Sequence, residues 1–380
     1  MSFRFLTAGE SHGDSLIGII EGLPAGVPIS LETIHNELKL RQLGVGRSGR
    51  MKIEADSPEI LSGIIHNKTI GSPITLRIRN KDVHDFGSLP SLEYPRPGHA
   101  DLVGTLKFQH ENIRLTLERA SARETAMRTA IGALCQIFLS HFDIKFMSHV
   151  VQIGSVQLNK IPKEVWKQLK KIHKSPLFCC DTQIEKLMLS EIKTCQKKGE
   201  SVGGIFEIRA AGLPLGLGSF IQWDLRLDSR IAGAIMSIPA IKGIEIGAGF
   251  SSPHIMGSKF QDQIFYDPKN HKRFGFYRKT NHCGGLEGGM TTGEDLILRA
   301  VMKPLSTLPK HHLNSVNIFT KKNGPPLVQR TDCCAVPAAS IVGRNVVAIE
   351  IAKAFLEKFG GDSLKEIENN YHQYLKMKLS

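Results

Sequence analysis

The chain is 380 residues long, 41% hydrophobic and 22% charged, with 49 Lys and Arg against 36 Asp and Glu for a formal net charge of +13. That length can bury a substantial core, the mix is that of a soluble globular protein, and no run approaches the ~20 uncharged apolar residues that span a bilayer. The charge calls for anionic partners, but an aromatic content of 7% and the lack of a Lys/Arg tail favour small, multiply charged ligands over nucleic acid.

The start, MSFRFLTAGESHG, lacks the apolar core of a signal peptide, so a cytoplasmic location is expected. After the apolar residues 3–6 comes a Gly-bounded turn, Gly9-Glu10-Ser11-His12-Gly13. It lacks the strand-to-helix setting of a nucleophile elbow. His12 reads either as a positioned acid, base or phosphate donor, or as a structural turn histidine. Residues 16–30 read as a buried strand and a Pro/Gly turn, and Leu31, Ile34 and Leu38 give a short amphipathic helix.

Gly44, Gly46 and Gly49 satisfy G-x-G-x-x-G, but they follow a helical pattern and lead into residues 51–54, which alternate like a strand. A dinucleotide fingerprint needs strand, glycines and helix, so it is rejected. What remains is a flexible loop with Arg41, Arg47 and Arg50, read as closing on an anion in preference to a mobile surface loop. Strands are expected over 59–65 and 74–79, the second alternating Ile74, Leu76 and Ile78 against Thr75, Arg77 and Arg79.

Residues 95–126 are the densest in chemistry. Arg96, His99 and Asp101 lie in a Pro/Gly-bound loop, and Ser121-Ala122-Arg123-Glu124 has the Ser-x-x-Glu form of a capping box. Ala122, Ala126, Ala130, Leu134 and Phe138 then mark one apolar helix face. Arg119 and Arg123 near that helix start, where acidic residues are usual, read as a phosphate or carboxylate site, or as surface partners of Glu118 and Glu124.

Beyond this, 146–158 reads as a strand and 160–198 as charged surface helices without a site. Residues 203–211 and 294–301 look alike, each an alternating strand ending in Arg-Ala with a helical stretch after it (227–237 and 346–359), which points to a duplicated strand-and-helix unit. The glycines of 284–293 read as backbone lying against a flat ligand, and Lys303 with Ser306 and Thr307 suits a phosphate. Asp332, after Arg330, is read with equal weight as a helix cap or a catalytic carboxylate. The seven cysteines include no C-x-x-C and no Cys/His set has zinc spacing, so reduced thiols and no metal are expected.

Taken together, AGESHG at 8–13, RSGRM at 47–51, RPGHADL at 96–102, ERASARETA at 118–126, GGLEGGMTTG at 284–293, KPLST at 303–307 and RTD with AVPAA at 330–339 resemble the chorismate synthase family nearly end to end. RTD stands where that family often has RSD, and the segment 82–94 is short beside many members. The resemblance implies an α+β fold, one domain over 1–380 built as a sheet-and-helix sandwich of internally repeated units and assembled as a homotetramer. It implies a lyase that converts 5-enolpyruvylshikimate 3-phosphate to chorismate by anti-1,4-elimination of phosphate and a ring hydrogen. It further implies that reduced FMN is required without net redox change, with NADPH a candidate reductant.

Carried over by position, His12 would protonate the departing phosphate, His99 would hold a proton on the reduced flavin, and Asp332 would lie near flavin N5. Ser11, Arg41, Arg47, Arg50, Arg96, Arg123 and Arg330 would surround the substrate, and Arg41 and Arg47 are also the implied NADPH positions. FMN would contact Arg119, Ala120, Ser121, Pro239, Ala240, Gly288, Lys303, Pro304, Leu305, Ser306, Thr307 and Arg330. Two alternatives stay open on the residues alone: a flavin enzyme of net redox chemistry on an anionic substrate, and a basic nucleic-acid-binding protein without catalysis.

Overall fold

Alternation of apolar and polar side chains builds the first sheet of the computed structural model, which describes residues 3–47, 55–162, 164–269, 274–311, 313–326, 328 and 332–377. Strands β1 (Arg4–Ala8), β2 (Ser15–Glu21), β3 (Pro58–Ser62) and β4 (Ile74–Arg79) pair antiparallel in the order β1-β2-β4-β3. Ile20 lies opposite Ile74 and Leu16 opposite Ile78, so one face is apolar and buried. Arg77 and Arg79 on the other face donate to Glu59.

The second sheet contains β5 (Lys145–Ile153), β6 (Gly204–Ala211), β7 (Ile241–Ile246) and β8 (Leu296–Met302), all antiparallel, ordered β7-β8-β6-β5 with the short strand Val156–Gln157 at the edge. The two look-alike segments of the sequence are therefore direct neighbours, β6 against β8, with Arg209 opposite Ile297 and Glu207 opposite Arg299.

Between the sheets lies a helical layer of α1 (Leu31–Gln42), α4 (Thr125–Ser140) and α7 (Val336–Phe359), α4 lying on β2 and β4, and α7 on β5 and β6. The contact between α4 and α7 depends on Gly132, where an added Cβ would fall 2.4 Å from the Asn345 carbonyl oxygen. Gly18 does the same for sheet and helix, since a Cβ there would meet Met127 Sδ at 2.6 Å. α7 is apolar nearly all round, as suits a helix enclosed on every side. Buried residues from Phe3 to Tyr371 join in one core cluster. No helix among the described residues is long and apolar enough to cross a membrane.

Several boundaries differ from the sequence reading. Helix α7 begins ten residues before 346, because Pro337 in its first turn has no amide that the helix needs. The capping box at Ser121 is only half made: Ser121 Oγ accepts from the Arg123 amide at 3.3 Å, while Glu124 accepts from Thr7 Oγ1 and Arg128 Nε instead. Residue 121 is an extended break (ψ 143) after a separate helix, α3 (Ile113–Ala120), so Arg119 sits in a last turn and not at a helix N-terminus. The glycines of 284–293 form a hairpin, Leu286–Glu287 with Met290–Thr292, extended by Leu215–Gly218. Between 160 and 198 lie two short helical turns and α5 (Thr182–Lys198). The expected strand at 51–54 lies outside the described residues.

Candidate active site

Several chain segments meet at the edge of the helical layer around a cavity of about 480 Å³, within the ~300–1,000 Å³ usual for small-molecule sites. The turn between β1 and β2 brings Ser11 and His12; the end of α3 and the start of α4 bring Ala120, Ser121 and Arg123; the loop before α2 (Asp101–Phe108) brings Arg96 and His99. The turn after α6 (Leu227–Met236) adds Pro239 and Ala240, the segment after β8 adds Lys303, Leu305, Ser306 and Thr307, and the approach to α7 adds Asp332. Arg41 at the end of α1, and Arg47 beyond it, complete the cationic wall.

The His12 turn is pinned from below. Asn80 Nδ2 donates to the carbonyls of Glu10 and Gly13, and the Ser11 amide donates to the Glu118 carbonyl at 3.0 Å. Ser11 Oγ donates to Ser121 Oγ at 3.0 Å. The His12 ring bonds through Nδ1 to Glu118 Oε1 and Oε2 at 2.9 and 3.0 Å and stacks on His84, centroids 4.2 Å apart and planes 3° apart. His84 Nε2 is 3.3 Å from Asp82, which also lies 4.0 Å from His12 Nε2. Burial opposes charge on Glu118, but the hydrogen bonds from the His12 ring and amide outweigh it and hold the carboxyl below its ordinary value.

On the opposite wall Asp101 is nearly fully buried and receives Arg96 through Nε at 2.7 Å and Nη2 at 3.0 Å, together with His99 Nδ1. Burial works against that carboxylate too, yet His99 and Arg96 keep it well below the usual range. Lys303 Nζ and Ser306 Oγ both donate to the Gly98 carbonyl, at 2.8 and 2.9 Å, which locks the Lys303–Thr307 stretch to the Arg96–Asp101 loop. Burial, and then nearby Lys242, lowers the Lys303 ammonium below its ordinary value.

A third cluster lies deeper. Arg41, 4% exposed, donates to Thr125 Oγ1, the Ala122 carbonyl and Asp56, while Arg123 donates to Asp56 and Asn80. Burial pushes Arg41 down to about 10, with Asp56 opposing the shift and Arg123 and Arg47 adding to it. Arg41 thus spends its donors inside the protein and supports the site more than it presents a fork to the cavity. Arg47 pairs with Asp332 at 3.2 Å, and the Cys333 amide donates to the Gly46 carbonyl at 2.7 Å, so the arginine loop is tied to the approach to α7. The N-cap of α7 is Ala335, so Asp332 is not a helix cap.

Of the residues proposed from sequence, Ser11, His12, Arg41, Arg47, Arg96, His99, Ala120, Ser121, Arg123, Pro239, Ala240, Lys303, Leu305, Ser306, Thr307 and Asp332 line this cavity. Pro304 does not line it. Gly288 is in the 286–292 hairpin, away from the lining, because its backbone (φ +58) turns that hairpin. Arg119 extends along the surface to the Thr7 and Gly9 carbonyls. Arg50 and Arg330 lie outside the described residues. Glu118 is not a surface partner of the arginines; it is 4% exposed and turned toward His12. The sequence reading missed Asp56, Asn80, Asp82, His84, Glu118 and Thr125 as members of the site. No local pattern marks them, since Glu118 meets His12 across 106 positions and Arg123 meets Asp56 across 67.

The residues suit a flavin phosphate and ring on chemical grounds. The ammonium of Lys303 and the hydroxyls of Ser306 and Thr307 adjoin an apolar wall of Ile238, Leu305, Ala338, Ala339 and Val342. Beside it Ala240 holds a left-handed backbone (φ +67), a costly conformation for a residue with a Cβ, of the kind that persists at ligand sites.

Comparison with known proteins matches the chorismate synthase family model to residues 3–356. Chorismate synthase from Alkaliphilus metalliredigens (strain QYMF) is 50% identical over 382 residues, covering 98% of this chain and 99% of the relative. That from Geotalea uraniireducens (strain Rf4) is 48% identical over 389 residues, covering 98% of each. A crystal structure of chorismate synthase superposes with a TM-score of 0.81 at 40% identity, covering 99% of this chain and 98% of the other. With the α+β sandwich and end-to-end similarity in agreement, the chain belongs to the chorismate synthase family and is an enzyme of the lyase class.

Proposed function

We propose that the protein eliminates phosphate and the C6 hydrogen from 5-enolpyruvylshikimate 3-phosphate to give chorismate, with reduced FMN required and no net oxidation. The observation that carries this reading is the convergence of His12, His99, Arg47, Arg96, Arg123 and Lys303 on one cavity beside an apolar wall. A phosphorylated dicarboxylate calls for such cations, and guanidinium forks match both kinds of anion. FMN, when bound, supplies electron density that eases C–O cleavage and recovers it as hydrogen leaves. The chain's residues do the rest: arginines orient the anions, His12 gives a proton to the leaving phosphate, and His99, oriented by Asp101, holds a proton on the facing wall. Lys303, Ser306 and Thr307 would hold the flavin phosphate, and Pro239, Ala240 and Leu305 its ring.

The working form in this reading is a cytoplasmic homotetramer of single-domain chains. Exposed Phe220, Ile221 and Trp223 support association, since apolar surface clustered in one loop favours a contact. The test is an anaerobic assay with dithionite-reduced FMN and the enolpyruvyl substrate, following free phosphate and the ring diene. Both should form together with reduced flavin and not with oxidised flavin. Absence of both, although flavin and substrate bind, would overturn the reaction.

A further inference from the structure

Both ring nitrogens of His12 face carboxylates, one in hydrogen-bond contact and one farther off. Glu118 meets Nδ1 through both carboxylate oxygens, at 2.9 and 3.0 Å, and Asp82 stands 4.0 Å from Nε2. His84 lies flat on the ring, its own Nε2 on Asp82, and fixes the ring plane. Glu118 also accepts the His12 backbone amide at 2.8 Å, so its oxygens cannot rotate away from this turn.

We propose that Glu118 is a positioning residue that fixes His12 as the tautomer protonated at Nδ1 and leaves Nε2 as the nitrogen that exchanges a proton with the reacting anion. The inference rests on the reading of His12 as the acid for phosphate. An ionised carboxylate only accepts hydrogen bonds, so the hydrogen between Glu118 and the ring belongs to Nδ1. The lowered Glu118 value, set by burial against the stronger hydrogen bonds of His12, agrees with its being ionised. Among the described residues, the charged and titratable groups around the ring include Glu118 from α3 and Asp82 and His84 from the 80–84 loop, while Arg114 acts on Glu118. Proton transfer then takes place on the side of Asp82, which lines the cavity with His12. The same logic governs hydrolytic triads, where an acid-to-amide change that presents the wrong tautomer costs ~10⁴ in turnover.

Glu118→Gln is the informative substitution. Its amide oxygen must stay on the His12 backbone N–H, which can only donate, so the amide NH₂ faces the ring and Nδ1 becomes an acceptor. The measurement is ¹⁵N NMR of histidine-labelled full-length protein, with the His12 signals assigned by their loss in His12→Gln. The neutral ring of the wild type should show a protonated Nδ1 and an unprotonated Nε2, and Glu118→Gln should reverse the two. Turnover with reduced FMN should fall about 10²-fold or more in Glu118→Gln, with KM for the substrate changed by less than about threefold.

A neutral wild-type ring that carries its proton on Nε2 and not on Nδ1 overturns the inference without any variant. An unreversed tautomer in Glu118→Gln, or a reversed one with undiminished turnover, overturns it as well. Undiminished turnover in His12→Gln would instead remove the role of His12 on which the inference rests, while the NMR result would still report the ring's tautomer.

Discussion

Replacing Asp56 by Asn tests whether the cationic wall is held by charge or by shape. Asp56 is 1% exposed and bridges two buried guanidiniums, with Arg123 Nη1 at 2.5 Å from Oδ1 and Arg41 Nη1 at 3.4 Å from Oδ2. The Asn variant keeps the volume and one acceptor but leaves two like charges facing each other away from water. Removing one partner of a buried pair costs roughly 3–5 kcal/mol, a large share of the 5–15 kcal/mol that stabilises a typical protein. At about 2 °C per kcal/mol for a large chain, the melting temperature should drop by roughly 6–10 °C in phosphate-free buffer. Millimolar phosphate or sulfate should restore part of the loss, because an anion that binds only the folded state stabilises it by mass action. Thermal unfolding followed by circular dichroism, with and without sulfate, reads both effects. A variant melting within about 2 °C of the parent would show that Asp56 does not hold the two arginines together.

Gly132→Leu should lower the midpoint of denaturant unfolding, since its Cβ alone would fall 2.4 Å from the Asn345 carbonyl and overpacking costs about 1–3 kcal/mol; an unchanged midpoint would mean that α4 and α7 are not in firm contact. Glu207 is fully buried, and its carboxyl is held at about 2 from an ordinary 4.5: burial opposes the charge, but His149 and Arg209 outweigh it. A depressed acid stabilises the fold above its unfolded value and loses that contribution as pH falls from about 4.5 to about 2, so Glu207→Gln should be less stable at neutral pH by up to about 3 kcal/mol and converge with the parent near pH 2. Parallel pH–stability curves from urea titrations would refute that assignment. His99→Ala should keep FMN affinity but lose about 10²-fold in turnover, and near-parental turnover would remove His99 from the chemistry.

Local periodicity carried the fold a long way. Strand β4 was legible to the residue, because Ile74, Leu76 and Ile78 alternate with polar neighbours and no glycine or proline interrupts them. Helix α7 was only half legible. Its first turns, Val336 to Asn345, are buried on every side and carry no amphipathic stripe, and Pro337 reads as a breaker when the permitted first turn is not known. The glycines of 284–293, read as a ligand cradle, build a hairpin, since positive φ serves a tight turn as well as a close approach. For the site, cations clustered in sequence were found in one cavity, because each comes on its own loop or helix end. Their anions were not legible: Asp56 and Glu118 have meaning only once sheet and helices bring distant segments together.

The central position of α7 sets a schedule for the growing chain. On a ribosome the first sheet and α4 emerge some 200 residues before α7, so the apolar flank of α4 that receives it waits uncovered through most of synthesis. Contacts so distant in sequence close slowly, and a waiting apolar flank is the kind of surface on which chains aggregate or chaperones bind. The two sheets share one helical seam, so the longest of the described helices, made late, is also the keystone. Translation paused before residue 336 would leave a chain with both sheets encoded and no complete cavity, because Ala338, Ala339 and Val342 of that wall are still unmade.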